Sequence, residues 1–255
     1  MLQSLIYTAQ RAGGAIMTVY ATDFAVRDKP DESPVTAADE AAEKIILADL
    51  AIIAPGVPVV AEEAVSAGKV PVVAQRFFLV DPLDGTREFV SRRDEFTVNI
   101  ALIENGEPVL GVVYAPARHE LYWGDVAGKR AGRLEAGVDG TMPALGNAIN
   151  ARLPPPRGWT AVASRSHRTP ETDALLANYP ITEFRSIGSS LKFCLVAAGE
   201  ADIYPRVGPT MEWDTAAGHA VLAAAGGRVT GLANEPFRYG KPGFRNGHFI
   251  ARGRE

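Results

Sequence analysis

Residues 79–89 read Leu-Val-Asp-Pro-Leu-Asp-Gly-Thr-Arg-Glu-Phe. Two carboxylates, Asp81 and Asp84, flank Pro82 and Leu83 and stand just before Gly85 and Thr86. An apolar run, Phe77-Phe78-Leu79-Val80, leads into the first of them. Carboxylate oxygens, joined by the backbone carbonyl of Leu83, are hard donors that suit Mg²⁺ or Mn²⁺ far better than zinc. Two bare carboxylates in a partly buried site raise one another's pKa, and a divalent cation removes that penalty. Such a cation in turn holds phosphate oxygens. The same Pro-Leu-Asp-Gly-Thr stretch also makes an ordinary β-turn, so alone it leaves both readings open.

Three more acidic positions stand at the ends of elements. Glu62 and Glu63 end a short β-rich run, Asp39 opens a helical stretch three residues after Thr36, and Asp214 opens an Ala-rich helix. Each has a bland reading: a solvated strand end, a Thr-x-x-Asp capping box, and a carboxylate favoured by the dipole of a helix N-terminus. Four acidic element ends in one chain make a shared site the sharper expectation.

The elements that must position these groups follow from periodicity. Leu2, Leu5, Ile6, Ala9, Gly13, Ile16 and Tyr20 recur at helical spacing and predict an N-terminal amphipathic helix. Ala42, Ile45, Ile46, Leu50 and Ile53 form the stripe of a second, stopped by Pro55-Gly56. Short strands are expected over Val-Pro-Val-Val-Ala-Glu-Glu and over Phe-Phe-Leu-Val-Asp, the latter ending at Asp81. Asn105-Gly106 between two β-rich runs predicts a hairpin within an antiparallel meander. Pro154-Pro155-Pro156 cannot lie inside a helix or central strand, so the boundary is placed at 145–158. The expected halves are an α+β unit over 1–150 and an α/β unit over 151–255, built as layered sheets and helices.

The chain of 255 residues is 47% apolar and 22% charged, as a soluble globular protein is. A net charge of −4 argues against a nucleic-acid partner, which wants a basic face. No apolar run approaches the ~20 residues needed to span a bilayer, and the first residues lack the pattern of a signal peptide. Cys194, the single cysteine, allows no intrachain disulfide and fits a reducing compartment. Its apolar neighbours predict inert packing rather than a nucleophile.

Asp-Pro-Leu-Asp-Gly-Thr, the upstream Glu-Glu and the downstream Trp-Asp-Thr-Ala-Ala-Gly resemble the magnesium-dependent, lithium-sensitive phosphatase superfamily. That superfamily includes inositol monophosphatase and fructose-1,6-bisphosphatase. Longer stretches, Asp31–Glu43, Leu79–Ala117, Ser164–His167, Ser186–Arg206 and Gly208–Val221, are similar to its 3'(2'),5'-bisphosphate nucleotidase branch, the CysQ type. Arg87 stands where lysine is frequent in that group, the C-terminal Phe-Arg-Asn-Gly-His-Phe-Ile-Ala lacks its usual proline, and Gly124–Pro156 matches poorly.

The resemblance implies an αβαβα sandwich of the sugar phosphatase and inositol monophosphatase type. It implies two or more Mg²⁺ ions, with Mn²⁺ as a substitute. Glu62, Asp81 and the Leu83 carbonyl are similar to the ligands of one ion, and Asp81, Asp84 and Asp214 to those of a second. Gly85 and Thr86 resemble the cradle of the scissile phosphate. Asp39 with Thr86 resembles the pair that orients and deprotonates the attacking water, and Glu63 a residue holding a metal-bound water. His167, Ser189, Lys192 and Arg206 resemble residues that contact the nucleotide. The implied reaction is hydrolysis of adenosine 3',5'-bisphosphate, a by-product of sulfate assimilation, to AMP and phosphate. The alternatives are an inositol or sugar phosphate substrate, and a non-catalytic sensor that would not need Asp39 and Thr86. The implied setting is cytoplasmic or peripheral at the inner membrane, as a monomer or homodimer, with a small phosphorylated nucleotide as partner.

Overall fold

The computed structural model describes residues 1–28, 34–137, 144–163 and 169–255. Alternation along the strands of its first sheet sends apolar side chains to two separate cores. In β4 (Arg76–Asp84), Phe78 and Val80 face one core while Phe77 and Leu79 face the other. In β5 (Thr97–Glu104), Val98, Ile100 and Leu102 oppose Ala101 and Ile103 in the same way. A sheet covered on both faces reads as a continuous apolar run, which is what the sequence before Asp81 shows.

That sheet has seven strands in chain order, adding β3 (Val59–Ala61), β6 (Glu107–Ala115), β7 (Glu120–Asp125), β8 (Arg130–Glu135) and β9 (Asn147–Ala148) to β4 and β5. β3 runs parallel to β4, and each later pair is antiparallel. Asn105 (φ 52°) and Gly106 (φ 77°) close the β5–β6 hairpin with positive φ at both central residues, as a type I′ turn requires.

Helices α1 (Leu2–Tyr20) and α2 (Ala37–Ile53) cover one face, placing Leu5, Ile6, Ala9, Ile16, Ala42, Ile46 and Leu50 against it. The strands β1 (Val26–Asp28) and β2 (Pro34–Thr36) pair between these helices. The opposite face is covered by α6 (Leu191–Ala197) and α7 (Glu212–Ala224). Those two helices also meet a second sheet, of five strands. Its members are β10 (Trp159–Ala163), β11 (Ile181–Ser186), β12 (Ile203–Arg206), β13 (Arg228–Thr230) and β14 (Phe249–Arg252), ordered β11-β10-β12-β14-β13. On its far side α5 (Pro170–Leu176) packs Leu176 with Ala161, Ile203 and Ile250. The layers are therefore helix, sheet, helix, sheet, helix.

One approach is set by missing side chains. Gly111 in β6 and Gly124 in β7 are ladder partners beneath α7. A Cβ on Gly111 would stand 2.5 Å from the Ala217 carbonyl oxygen, and one on Gly124 2.6 Å from that of Ala220. Glycine in the strands and alanine in the helix bring the two backbones together.

The structure departs from the sequence expectation in three places. β4 does not end at Asp81 but continues to Asp84 through an irregularity in register. Glu62 and Glu63 open a short helix, α3 (Glu62–Ser66), instead of finishing the strand. The poorly patterned stretch after Gly124 supplies β8 and β9.

Candidate active site

The acidic residues converge because each terminates or opens an element at one edge of the first sheet. Asp81 and Asp84 lie at the end of β4, Glu62 at the β3–α3 junction, and Asp214 in the first turn of α7. Oxygens of Glu62, Asp81 and Asp214 all lie within 4.8 Å of one another. Asp81 is buried, while Asp84 and Asp214 are half-buried. The Leu83 N–H donates to Asp81 Oδ1 at 3.0 Å, and the Met211 N–H donates to Asp214 Oδ2 at 2.8 Å.

The charge in this cluster is not compensated by cations alone. Burial pushes the Asp84 carboxyl up to about 6; the Lys192 ammonium pulls it down, and Glu88 and Glu62 push it further up. Burial also raises Asp214 well above the usual carboxylate range, with Asp84 and Glu62 as the repelling charges. Hard oxygen donors converging in this way, strained by mutual repulsion, fit a site for divalent cations such as Mg²⁺.

Beside the cluster stands the second pair picked out from sequence. Gly85, in a left-handed conformation (φ 93°), leads β4 into α4 (Thr86–Val90). Thr86 Oγ1 lies 3.4 Å from Asp39 Oδ1 and 3.2 Å from the Leu83 carbonyl oxygen. Asp39 is buried and also closes the capping box of α2: its Oδ2 accepts from the Thr36 N–H and hydroxyl, each at 2.8 Å. Asp39 thus gives one carboxylate oxygen to the cap and turns the other toward Thr86.

The residues read as nucleotide contacts come from α6 and β12. Lys192 is 4% exposed, which removes its reading as a solvated helix lysine. Burial pushes its ammonium down to about 8, against the pull of Asp84. It donates to the carbonyls of Ser189 and Ile187 and lies 5.3 Å from the centre of the Tyr204 ring. Ser189 stands three residues before Lys192, a spacing that puts two side chains on one face when both are helical, but it precedes α6, with φ 49°. Arg206 donates from Nη2 to the Pro209 carbonyl at 3.0 Å, while its Nε is buried with no partner among the described residues. It faces both Lys192 and Asp214 electrostatically. His167 lies outside the described residues.

Further residues hold these in place without a signature in the sequence. Glu43, one turn after Asp39 on α2, accepts the Glu63 N–H at 2.8 Å and so anchors the start of α3. Glu212, fully buried, accepts from the Gly240 and Lys241 N–H groups and pairs with the Lys241 ammonium at 2.7 Å. Asn246 donates to the Met211 carbonyl at 2.7 Å and to Thr215 Oγ1 at 3.0 Å, fixing the turn that carries Asp214. The Glu43 spacing from Asp39 was the one available cue. Cys194 is buried in the apolar core and burial raises its thiol, so it is packing, as expected.

Comparison with known proteins agrees with this geometry. The model of the inositol monophosphatase family matches residues 1–252. The 3'(2'),5'-bisphosphate nucleotidase CysQ of Escherichia coli strain K12 is 47% identical over 253 residues, covering 96% of this chain and 98% of its own length. That of Haemophilus influenzae is 31% identical, covering 98% and 91%. Among solved structures, CysQ from Bacteroides thetaiotaomicron superposes with a TM-score of 0.80 at 38% identity, covering 99% of this chain and 96% of the other. An inositol monophosphatase from Anabaena gives a TM-score of 0.75 at 27% identity, covering 99% and 90%.

Proposed function

The chain belongs to the inositol monophosphatase family, and within it we propose a 3'(2'),5'-bisphosphate nucleotidase that hydrolyses adenosine 3',5'-bisphosphate to AMP and phosphate with the help of Mg²⁺. The observation that carries the nucleotide reading is the pair of cations beside the acidic cluster. Lys192 stands against Asp84 and Arg206 against Asp214, and the buried Arg206 Nε has no partner among the described residues. A second phosphate, the one that is not cleaved, answers both: it accepts from the guanidinium and ammonium and leaves no buried donor unpaired. An inositol monophosphate has no such group to offer.

Glu62, Asp81, Asp84, Asp214 and the Leu83 carbonyl would hold the metal, two ions or more. When bound, such ions lower the pKa of a coordinated water and neutralise charge on the departing oxygen. The chain's own residues do the rest. Gly85, with no Cβ and a left-handed φ, lets the turn backbone approach the scissile phosphate. Thr86 Oγ1 orients the attacking water and passes its proton to Asp39 Oδ1, the carboxylate oxygen that faces it. Glu63 orients a water within the cluster. Tyr204 beneath the Lys192 ammonium keeps that cation dry and directed. Ser189 lines the nucleotide side. In this scheme residues 1–150 supply the phosphate-cleaving groups, and residues 151–255 read the substrate and lend Asp214.

The test is a phosphate-release panel at saturating Mg²⁺ across adenosine 3',5'-bisphosphate, 3'-phosphoadenylyl sulfate, inositol monophosphate and fructose bisphosphate. The highest kcat/KM is expected on an adenosine bisphosphate. A preference for inositol monophosphate, or equal losses on both in Lys192→Ala, refutes nucleotide specificity. Full activity in Asp81→Asn or Asp214→Asn refutes the metal assignment, and no release from any substrate leaves a binding protein.

A further inference from the structure

We propose that Ser190 is a positioning residue that ties the nucleotide-reading loop to the metal-bearing strands, so that the two sides of the site form as one unit. The proposal rests on the nucleotidase reading only for the identity of the nucleotide side. Ser190 is 2% exposed and precedes the first turn of α6. Its hydroxyl reaches two side chains of β5: Asn99 Oδ1 at 2.6 Å and Thr97 Oγ1 at 2.9 Å. A hydroxyl has one proton, so with Asn99 as its acceptor Ser190 accepts from Thr97.

These two partners are not arbitrary. Across the ladder Asn99 is opposite Asp81 and Thr97 is opposite Asp84. Side chains of directly opposite residues lie on one face of the sheet. The backbone N–H of Ser190 also faces Asp84 itself. One residue therefore makes two side-chain hydrogen bonds to the strand pair that carries two of the acidic groups.

The loop before it is held just as tightly. The Gly188 N–H donates to Glu95 Oε2 at 2.8 Å, and a Cβ at Gly188 would stand 2.8 Å from the Glu95 carbonyl oxygen. Ser189 occupies the left-handed region, rare for a residue with a side chain, and its carbonyl accepts from Lys192. Lys192 thus takes its place from a loop whose own place is set by Asp84, Thr97, Asn99 and Glu95. Asn99 Nδ2 is buried with no partner among the described residues, so the Ser190 hydroxyl is what fixes that amide beside Asp81.

Removing the hydroxyl leaves Thr97 without its acceptor and frees the Asn99 amide to turn. Residues that orient metal ligands through hydrogen bonds change metal affinity about 10- to 100-fold when mutated. The experiment uses the full chain as wild type, Ser190→Ala, Thr97→Val and the double variant. Three quantities are read: Tm in chelator, the Mg²⁺ concentration giving half the maximal rise in Tm, and the calorimetric Kd of AMP at saturating Mg²⁺. Ser190→Ala is expected to raise the Mg²⁺ midpoint about 10-fold and the AMP Kd at least about fivefold. Thr97→Val is expected to move both the same way by less, and the double variant to fall short of the product of the two.

A lower Tm in chelator with both other values unchanged assigns Ser190 to packing and overturns the proposal. So do effects of the two variants that simply multiply. Should Ser190→Ala fail to fold, a wild-type Mg²⁺ midpoint in the near-isosteric Thr97→Val is enough to overturn it. A wild-type chain that neither binds AMP nor releases phosphate from adenosine 3',5'-bisphosphate refutes the nucleotide reading instead, and the Mg²⁺ midpoints still decide the role of Ser190.

Discussion

Replacing Asp84 with asparagine should stabilise the metal-free protein at neutral pH while abolishing its use for metal. The carboxyl of Asp84 is raised from 3.8 to about 6. A raised acid favours its protonated form in the folded state. The folded chain is therefore unpenalised below pH ~4, where both states hold the proton. It loses stability as the pH rises from about 4 to 6, because the unfolded chain sheds the proton first. Roughly two units at 1.36 kcal/mol each give a penalty of about 3 kcal/mol above pH 6. Asparagine keeps the acceptor for the Ser190 N–H and carries no charge. That figure already includes the pull of the Lys192 ammonium on Asp84; an amide replaces the protonated carboxyl imperfectly, so the net gain is about 1–3 kcal/mol. For a chain of this length that is a rise in Tm of about 2–10 °C. The assay is thermal unfolding of both proteins in chelator from pH 4 to 8, then with excess Mg²⁺. The difference should vanish near pH 4, favour the variant at pH 7, and reverse with Mg²⁺. Ligand at 100 times its Kd adds about 2.7 kcal/mol to the form that binds it. A variant less stable than wild type in chelator at pH 7, or a difference independent of pH, would refute the account of the cluster as uncompensated charge.

Other consequences can be checked independently. With its ammonium near 8 when free, Lys192 loses charge as the pH rises, so KM for adenosine 3',5'-bisphosphate should climb above pH ~8. Lys192→Met should start with a high KM and show no such inflection. Asp39→Asn should lower kcat about 10²–10⁴-fold, and the Mg²⁺-dependent rise in Tm should persist; losing that rise would make Asp39 part of the metal site instead. Gly111→Ala puts a methyl 2.5 Å from the Ala217 carbonyl oxygen, so α7 must withdraw by nearly 1 Å. Overpacking of this kind costs about 1–3 kcal/mol, and a shift that size at Asp214 should lower kcat/KM about 10²-fold. Unchanged kcat/KM would show that α7 adapts without moving Asp214.

The parts legible in the sequence were those whose physics is local. The run before Asp81 announces a strand buried on both faces, and Asn105-Gly106 announces its hairpin, because a turn with two positive φ angles admits few residues. Helices α1 and α2 show their stripes plainly. Strand β11 was not legible, since five of its six residues are exposed and carry no apolar alternation. Asp39 was legible as a cap and only ambiguously as anything more, because capping and catalysis ask for the same residue at the same place. Ser190 and Asn99 were invisible as site residues: the partners of Ser190 lie 91 and 93 positions away, and a lone serine or asparagine announces nothing about what folds against it. The three-residue spacing of Ser189 and Lys192 is no guide to a shared face, because Ser189 lies outside the helix.

The Gly111–Gly124 seat for α7 has a bearing on how the chain matures. The face that receives the helix is complete once β9 ends at Ala148, yet α7 itself ends only at Ala224. At the usual 5–20 residues per second, the ribosome needs on the order of 4–15 s to make that intervening stretch. Until α6 and then α7 emerge, Leu79, Ala101, Val113 and Tyr122, all of which end in the central core, lack the helices that cover them in the folded chain. A nascent chain stalled there would present an apolar surface with two glycine notches, so protection by a chaperone is expected to matter more at that stage than after release.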